Sequence, residues 1–429
     1  MYQKFIIAAL VIALPFAAEA QLQNVLNRAH NKVQQRANQK IDKEIDKTLD
    51  KAEGKDQPAE KTPVNEKTVV ATSASPEPEP ALKAFSKYDF IPGDSVIYYE
   101  AFEGEALAEL PTGWNTSGTG EVTTLSNYPG NWLRLHKSFS YLSSNEKKFG
   151  ENYTVEFDLI LQLKNNGWMY PEFYIGLFST KDEPNSGNNF LKDHKKYASV
   201  ITSIYPAENS NSRARVNAYQ EYKNYFTGDA KAYEPLQNYY GKPVRVAIQV
   251  QKERFRIWIN ETKMFDVPKA IPAGIIMNQL HFSLSHTNYS EEQYGVFISN
   301  IKVATGRPDT RHKLIEEGRF STTGILFDLQ SAVIKPGSYA VIKEIASVLN
   351  ENSTVKIKVL GHTSSDGDDN TNMELSKKRA AAVKELLVSE FAIDASRIET
   401  EGRGETKPVA DNKTKEGKAL NRRVEFLKL

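Results

Sequence analysis

The stretch "GHTSSDGDDNTNMELSKKRA", Gly361 to Ala380, gathers the side chains best suited to binding chemistry in this chain. Ser364, Ser365 and Asp366 open a loop that runs into a helical segment carrying Lys377, Lys378 and Arg379. A loop of this composition either binds a charged group or stays solvated. Asn372 and Arg379 are seven residues apart, about two helical turns, so a helix sets both on one face. The loop after "GHT" must then fold over that face.

Other chemistry finds less support. His281 and His286 are five apart on an expected strand, which points them to opposite faces and makes a poor metal pair. No Gly-rich phosphate loop and no nucleophile elbow occurs. Trp114, Trp132, Trp168 and Trp258, with 20 Tyr in the chain, are candidates for stacking on a sugar ring, although aromatics in a β-sandwich more often fill the core. With 55 Lys and Arg against 54 Asp and Glu, the net charge of +1 gives no electrostatic reason for a nucleic-acid partner.

The elements that must position these residues fall into successive zones of a 429-residue chain, long enough for two or three domains. Residues 1–20 read as a signal peptide: Lys4 precedes the apolar run Phe5 to Phe16, and Ala18-Glu19-Ala20 has the small-x-small pattern of a cleavage site. The run is shorter than the ~20 residues of a membrane span. An exported chain without cysteine has neither disulfides nor a thiol for lipid attachment.

Residues 21–54 read as a charged amphipathic helix, with Leu22, Leu26, Ala29, Val33, Ala37, Ile41, Ile45 and Leu49 mostly four apart. A four-residue step drifts around a 3.6-residue helix, which suits wrapping a partner or self-association; a solvated helix held by Asp/Lys pairs satisfies the pattern equally. Residues 55–90 are rich in Pro, Glu, Lys, Thr and Ser, the composition of a disordered linker.

Between 91 and 307, short apolar and aromatic runs alternate with Gly, Pro, Asn and Ser clusters, the signature of an antiparallel sandwich. Val244 to Ile259, turned at "QKER", reads as a hairpin. A membrane barrel needs consistently apolar outward faces, whereas these strands mix Glu, Lys and Arg into both faces. From about Thr310 the period becomes mixed: "GILFDL" as a strand, a helix opened by Pro336 and Ser338, "VKIKVLG" as a strand, a helix from Asn372 to about Phe391, and strands in "IETEGRG" and "NRRVEFLKL".

The run "VRVAIQVQKERFRIWINETKMFDVP", followed by "LHFSLSH" and "YGVFISNIKV", resembles the end of concanavalin-A-like jelly rolls. Jelly-roll glucanases carry Glu-x-Asp-x-x-Glu on one strand, since an acid/base pair must flank the scissile bond. "EFDLIL" supplies Glu156 and Asp158 but has Leu161 at the third acid, so hydrolysis is not expected and the polar side of a sandwich strand explains both carboxylates better.

The series "FD", "GHT", "LSxxRA", "GxGE" and "NRRVE" resembles the OmpA-like peptidoglycan-binding domain over about 105 residues, and the whole arrangement resembles multi-domain OmpA-family envelope proteins of Gram-negative bacteria. The resemblance implies a ligand: the diaminopimelate side chain of the cell-wall peptide, whose zwitterionic end asks for a cation and an acid. Arg379 occupies the family's arginine position, where a planar fork makes two parallel bonds to a carboxylate. Asn372, Asp328 and Arg423 join it as candidate pocket residues. Ser364 stands where the family pattern has the Asp that takes the ligand's ammonium. A neutral bond in place of a charge-assisted one lowers affinity by about one decade. Asp366, two residues on, is the candidate substitute.

The fold class read from sequence is therefore multi-domain α+β: an N-terminal helix and disordered linker, a central all-β jelly-roll sandwich, and a C-terminal βαβ-αβ-β OmpA-like domain at 310–429. The functional expectation is a non-enzymatic, exported envelope protein in the periplasm, peripheral to the outer membrane. It contacts peptidoglycan, needs no cofactor or metal, and reaches an outer-membrane partner or a second copy through its N-terminal helix. The alternative is a carbohydrate-binding module in the jelly roll, with a glycan as partner.

Overall fold

The computed structural model describes residues 88–429 apart from 182, 307 and 308. The signal peptide, the 21–54 helix and the linker as far as 87 lie outside the described residues. Tyr88 and Phe90, at the end of the expected linker, are buried, so the packed chain begins by 88.

Two antiparallel eight-stranded sheets face each other between Ser95 and Thr305. The first is ordered Thr262–Val267, Arg254–Ile259, Pro243–Gln251, Asn152–Leu163, Tyr294–Thr305, Tyr128–Leu135 and Gly120–Leu125, with Ser95–Glu100 also pairing on Tyr294–Thr305. The expected hairpin is there, with Gln251 paired to Arg254 across Lys252, whose φ of 54° makes the turn. Alternate residues Val155, Phe157, Leu159 and Leu161 point into the space between the sheets, where Phe157 meets Phe173 and Phe282. Burial of such rings supplies most of the stabilisation of the sandwich.

The Asn152–Leu163 strand is buried on its other face too. That face is covered by the entering chain and by the C-terminal residues. Tyr88 and Phe90 pack with Ala247, Trp258 and Ala340, while Ala419 packs with Val96 and Ala304. The sandwich and the C-terminal domain thus share one compact unit.

The C-terminal sheet runs Arg319–Thr322, Val424–Lys428, Ile357–Gly361, Ile398–Gly402, and its last pair is parallel. Helices Tyr339–Glu351 and Asp369–Phe391 cover it with Ile342, Ile345, Ala346, Leu349, Ala380, Val383 and Leu387. One expected element is displaced: the first strand is Arg319–Thr322, and "GILFDL" is irregular apart from a single bridge between Phe327 and Ile334. The Leu326 amide donates to Ser338 Oγ at 2.7 Å, and its carbonyl accepts from Lys335 N at 2.8 Å, so neither joins a ladder. A short helix not expected from the sequence, Lys415–Asn421, is capped by the Thr414 side chain.

The long helix starts at Asp369, three residues before expectation, because Asp368 caps it by accepting from Thr371 N at 2.9 Å. It lies close on the sheet because Gly361 has no side chain: a Cβ there would stand 2.1 Å from the Ser376 carbonyl oxygen. That contact sets the height of the helix, and hence of Arg379 one turn further on.

Candidate functional site

Arg379 projects from the long helix toward the irregular "GILFDLQS" segment. Its Nε donates to the Ser331 carbonyl at 3.0 Å, and its guanidinium lies 4.8 Å from the centroid of the Phe327 ring. Among the described residues no carboxylate pairs with it. Burial, with the neighbouring positive charge of Arg422 second, pulls its pKa down to about 10. A half-buried cation facing a like charge is a place for an anion.

Arg422 is the second cation. Its Nη1 lies 3.5 Å from Ser364 Oγ and 3.6 Å from Asp366 Oδ2. Its Nη2 is buried with no hydrogen-bond acceptor among the described residues. Ser364 is itself buried, and its hydroxyl donates to Asp366 Oδ2 at 2.9 Å. Asp366 therefore holds its carboxylate against the Ser364 hydroxyl. Burial raises its pKa, but Lys418 at 2.5 Å, Ser364 and Arg422 outweigh that and hold it below the ordinary carboxylate value. Asn372 ties the loop down by donating from Nδ2 to the carbonyls of Ser364 and Asp366 and, at 2.7 Å, to Glu405 Oε2.

The structure thus gathers Asn372, Ser364 and Asp366 beside Arg422, with Arg379 close enough to feel the Arg422 charge. Asp328 lies on the rim: its exposed carboxylate is 3.9 Å from Lys335 Nζ, and its carbonyl accepts from Ser331 N in the turn that meets Arg379. Arg423 points away into the domain, where it bonds Glu425 Oε1 and the Lys407 carbonyl. Arg423 directly precedes the Val424–Lys428 strand and continues its alternation, so it joins Glu425, while Arg422, at the end of the short helix, is left for the site. That alternation was present in "NRRVE". Phe327, which supports Arg379, carried no sequence signal beyond its place in "LFD".

Glu156 and Asp158 are held in ion pairs. Arg245 bonds Glu156 at 3.2 Å and Asp158 at 3.0 Å, and Lys302 stands 2.8 Å from Glu156. Burial raises the pKa of Glu156, but Lys302 and Arg245 together bring it below the usual range, so it is held ionised. Both acids lie on the covered face, and Leu161 belongs to the core. Trp114, Trp132 and Trp258 are buried, and only Trp168 of the four is exposed. His281 lies on the Gln279–Leu284 strand, whereas His286 lies beyond its end.

Two arginines beside a polar loop, on helices packed against a mixed four-stranded sheet, characterise a small α/β domain. Residues 326–422 match the OmpA family, and the C-terminal domain belongs to it. Outer membrane porin F of Pseudomonas aeruginosa is 44% identical over 101 residues, covering 24% of this chain and 29% of the relative. The probable lipoprotein YiaD of Escherichia coli is 44% identical over 102 residues, 24% of this chain and 46% of the relative. The chain thus spans under half the length of these two curated relatives. The crystal structure of the peptidoglycan-associated lipoprotein from Burkholderia pseudomallei is 28% identical, with a TM-score of 0.23, covering 25% of this chain and 89% of that one. Among the described residues no helix is long and apolar enough to cross a membrane.

Proposed function

We propose that this chain is a non-enzymatic cell-envelope protein whose C-terminal domain holds the peptidoglycan stem peptide by the zwitterionic end of diaminopimelate. One observation carries the reading: the Arg379 guanidinium, packed over Phe327 and beside Arg422, has no carboxylate partner among the described residues. Arg379 takes the ligand's carboxylate through its fork. Asp366, reached directly or through the Ser364 hydroxyl, takes the ammonium. Because Lys418 and Arg422 already share the Asp366 charge, this half of the pocket is weak. Asn372 and Asp328 order the two loops around the site, and Arg423 supports the domain from within.

The porin and lipoprotein names of the relatives favour an outer-membrane association, and the 1–20 pattern favours export into the periplasm. The 21–54 helix then reaches an outer-membrane protein or a second copy. We read the sandwich as a concanavalin-A-like jelly roll that acts as a support. With three of four tryptophans in the core, the glycan-binding alternative loses most of its stacking surface.

The test is co-sedimentation of the chain from residue 21 with purified sacculi. Arg379→Ala removes a charge-assisted bond of roughly 1.5–3 kcal/mol, so retention should weaken by about ten- to hundredfold. Retention indifferent to the substitution rules out the assignment.

A further inference from the structure

Among the described residues, Arg422 links this site to the sandwich. Arg422 lays its guanidinium 5.0 Å from the centroid of the Tyr99 ring, on the Ser95–Glu100 strand. Tyr99 is held on both sides of the interface. Its hydroxyl donates to Asn300 Oδ1 at 3.2 Å, and Asn300 Nδ2 donates to Asp158 Oδ2 at 2.8 Å, inside the ionic layer of the sandwich. Its amide donates to Glu416 Oε1 at 3.2 Å, on the short helix that leads to Arg422.

The next contacts lock that helix. Lys415 Nζ donates to both oxygens of Glu100 at 2.8 and 2.9 Å, and to Glu105 Oε1 at 2.8 Å. Ala419 packs on Val96 and Ala304. The Tyr99 ring therefore fixes one face of a guanidinium whose edge looks at Ser364 and Asp366 and whose Nη2 is buried without an acceptor. A buried donor left unpaired is unfavourable unless a ligand supplies the acceptor.

We propose that Arg422 is the second cation of the carboxylate site and that Tyr99, from the sandwich domain, is its positioning residue, so that full binding strength requires the docked sandwich. This rests on the carboxylate reading of Arg379. The ligand carboxylate is shared between two guanidiniums, which also relieves the repulsion between them. The sandwich then has a function in binding without touching the ligand.

The experiment measures sacculus affinity of the chain from residue 21 at two salt concentrations, with thermal unfolding to show that each variant is folded. Tyr99→Leu should weaken binding by about two- to thirtyfold, the range that a cation–π contact supplies. Tyr99→Phe keeps the ring and should bind within about twofold of wild type, as a role confined to the Asn300 bond would not allow. Arg422→Gln should weaken binding and flatten its salt dependence, and Tyr99→Leu should add nothing in that background. If Tyr99→Leu does not fold, Arg422→Gln and Tyr99→Phe carry the test. Arg422→Gln or Tyr99→Leu binding like wild type, while Arg379→Ala loses binding, overturns this inference alone. Additive losses for Tyr99→Leu and Arg422→Gln overturn it also. Full binding by Arg379→Ala overturns the carboxylate reading, and this inference with it.

Discussion

His362, inside the "GHT" motif, makes the C-terminal domain sensitive to acid. The ring is 3% exposed, and neither nitrogen has a hydrogen-bond partner among the described residues. Burial, then the positive charge of Arg423, pushes its pKa down to about 4, against an upward pull from Glu425. In the unfolded chain the ring titrates near 6.5. Between the two values the unfolded state binds a proton that the folded state refuses. Stability is therefore complete above about pH 6.5 and falls as pH drops through the window, by about 1.4 kcal/mol per unit and about 3 kcal/mol in all. Glu425 and Asp366 have lowered pKa values, so their contributions are lost only below the unfolded carboxylate range. The interval from pH 6.5 to 4.5 therefore reads the histidine against these two acids; Glu100, whose pKa burial raises, acts there in the opposite sense, so the comparison with His362→Gln rather than the raw slope carries the result. Hydrogen exchange of the Ile357–Gly361 amides reads the stability of this domain separately from the sandwich. Protection in the wild type should fall by about 2–3 kcal/mol from pH 7 to 4.5, and by less than about 1 kcal/mol in His362→Gln. The same pH dependence in both proteins would refute the assignment.

Three further outcomes follow from the packing. Gly361→Ala forces a Cβ against the Ser376 carbonyl, so it should cost at least about 2 kcal/mol and also weaken sacculus binding by lifting Arg379; a melting temperature equal to wild type contradicts this. Arg245→Met leaves Glu156 with Lys302 and Asp158 with the Asn300 amide, and should cost about 3–5 kcal/mol in unfolding followed by the sandwich tryptophans. Ser364→Asp alone sets a second carboxylate against Asp366, so it should gain less sacculus affinity than the exchange Ser364→Asp with Asp366→Ser; equal gains in the two would count against Asp366 as the substitute acid.

Much of the C-terminal domain was legible because its information is local. The apolar spacing of Ile342, Ile345, Ala346 and Leu349 faced a helix inward, and the seven-residue step from Asn372 to Arg379 placed both beside the loop. The "GILFDL" strand was misplaced because the Leu326 backbone groups are satisfied by Ser338 and Lys335, and apolar patterning does not register such partners. Arg423 bonds Glu425 and the Lys407 carbonyl instead of joining the pocket, and its two-residue spacing to Glu425, on the face opposite the core residues Val424 and Phe426, is the signal for that. In the sandwich, alternation identified Glu156 and Asp158 as facing away from the core. What covers that face lies far along the chain, as the Tyr99 contact with Arg422 illustrates: 323 residues separate partners that no periodicity connects.

The central claim is that Arg379 receives a carboxylate. Calorimetric titration of the chain from residue 21 with a diaminopimelate-containing stem peptide, for wild type beside Arg379→Ala and Arg379→Lys, tests it most directly. Saturable binding is expected in the wild type, weakened about ten- to hundredfold in Arg379→Ala and only partly recovered by lysine, which lacks the two-pronged fork. Equal affinity in all three proteins would contradict it.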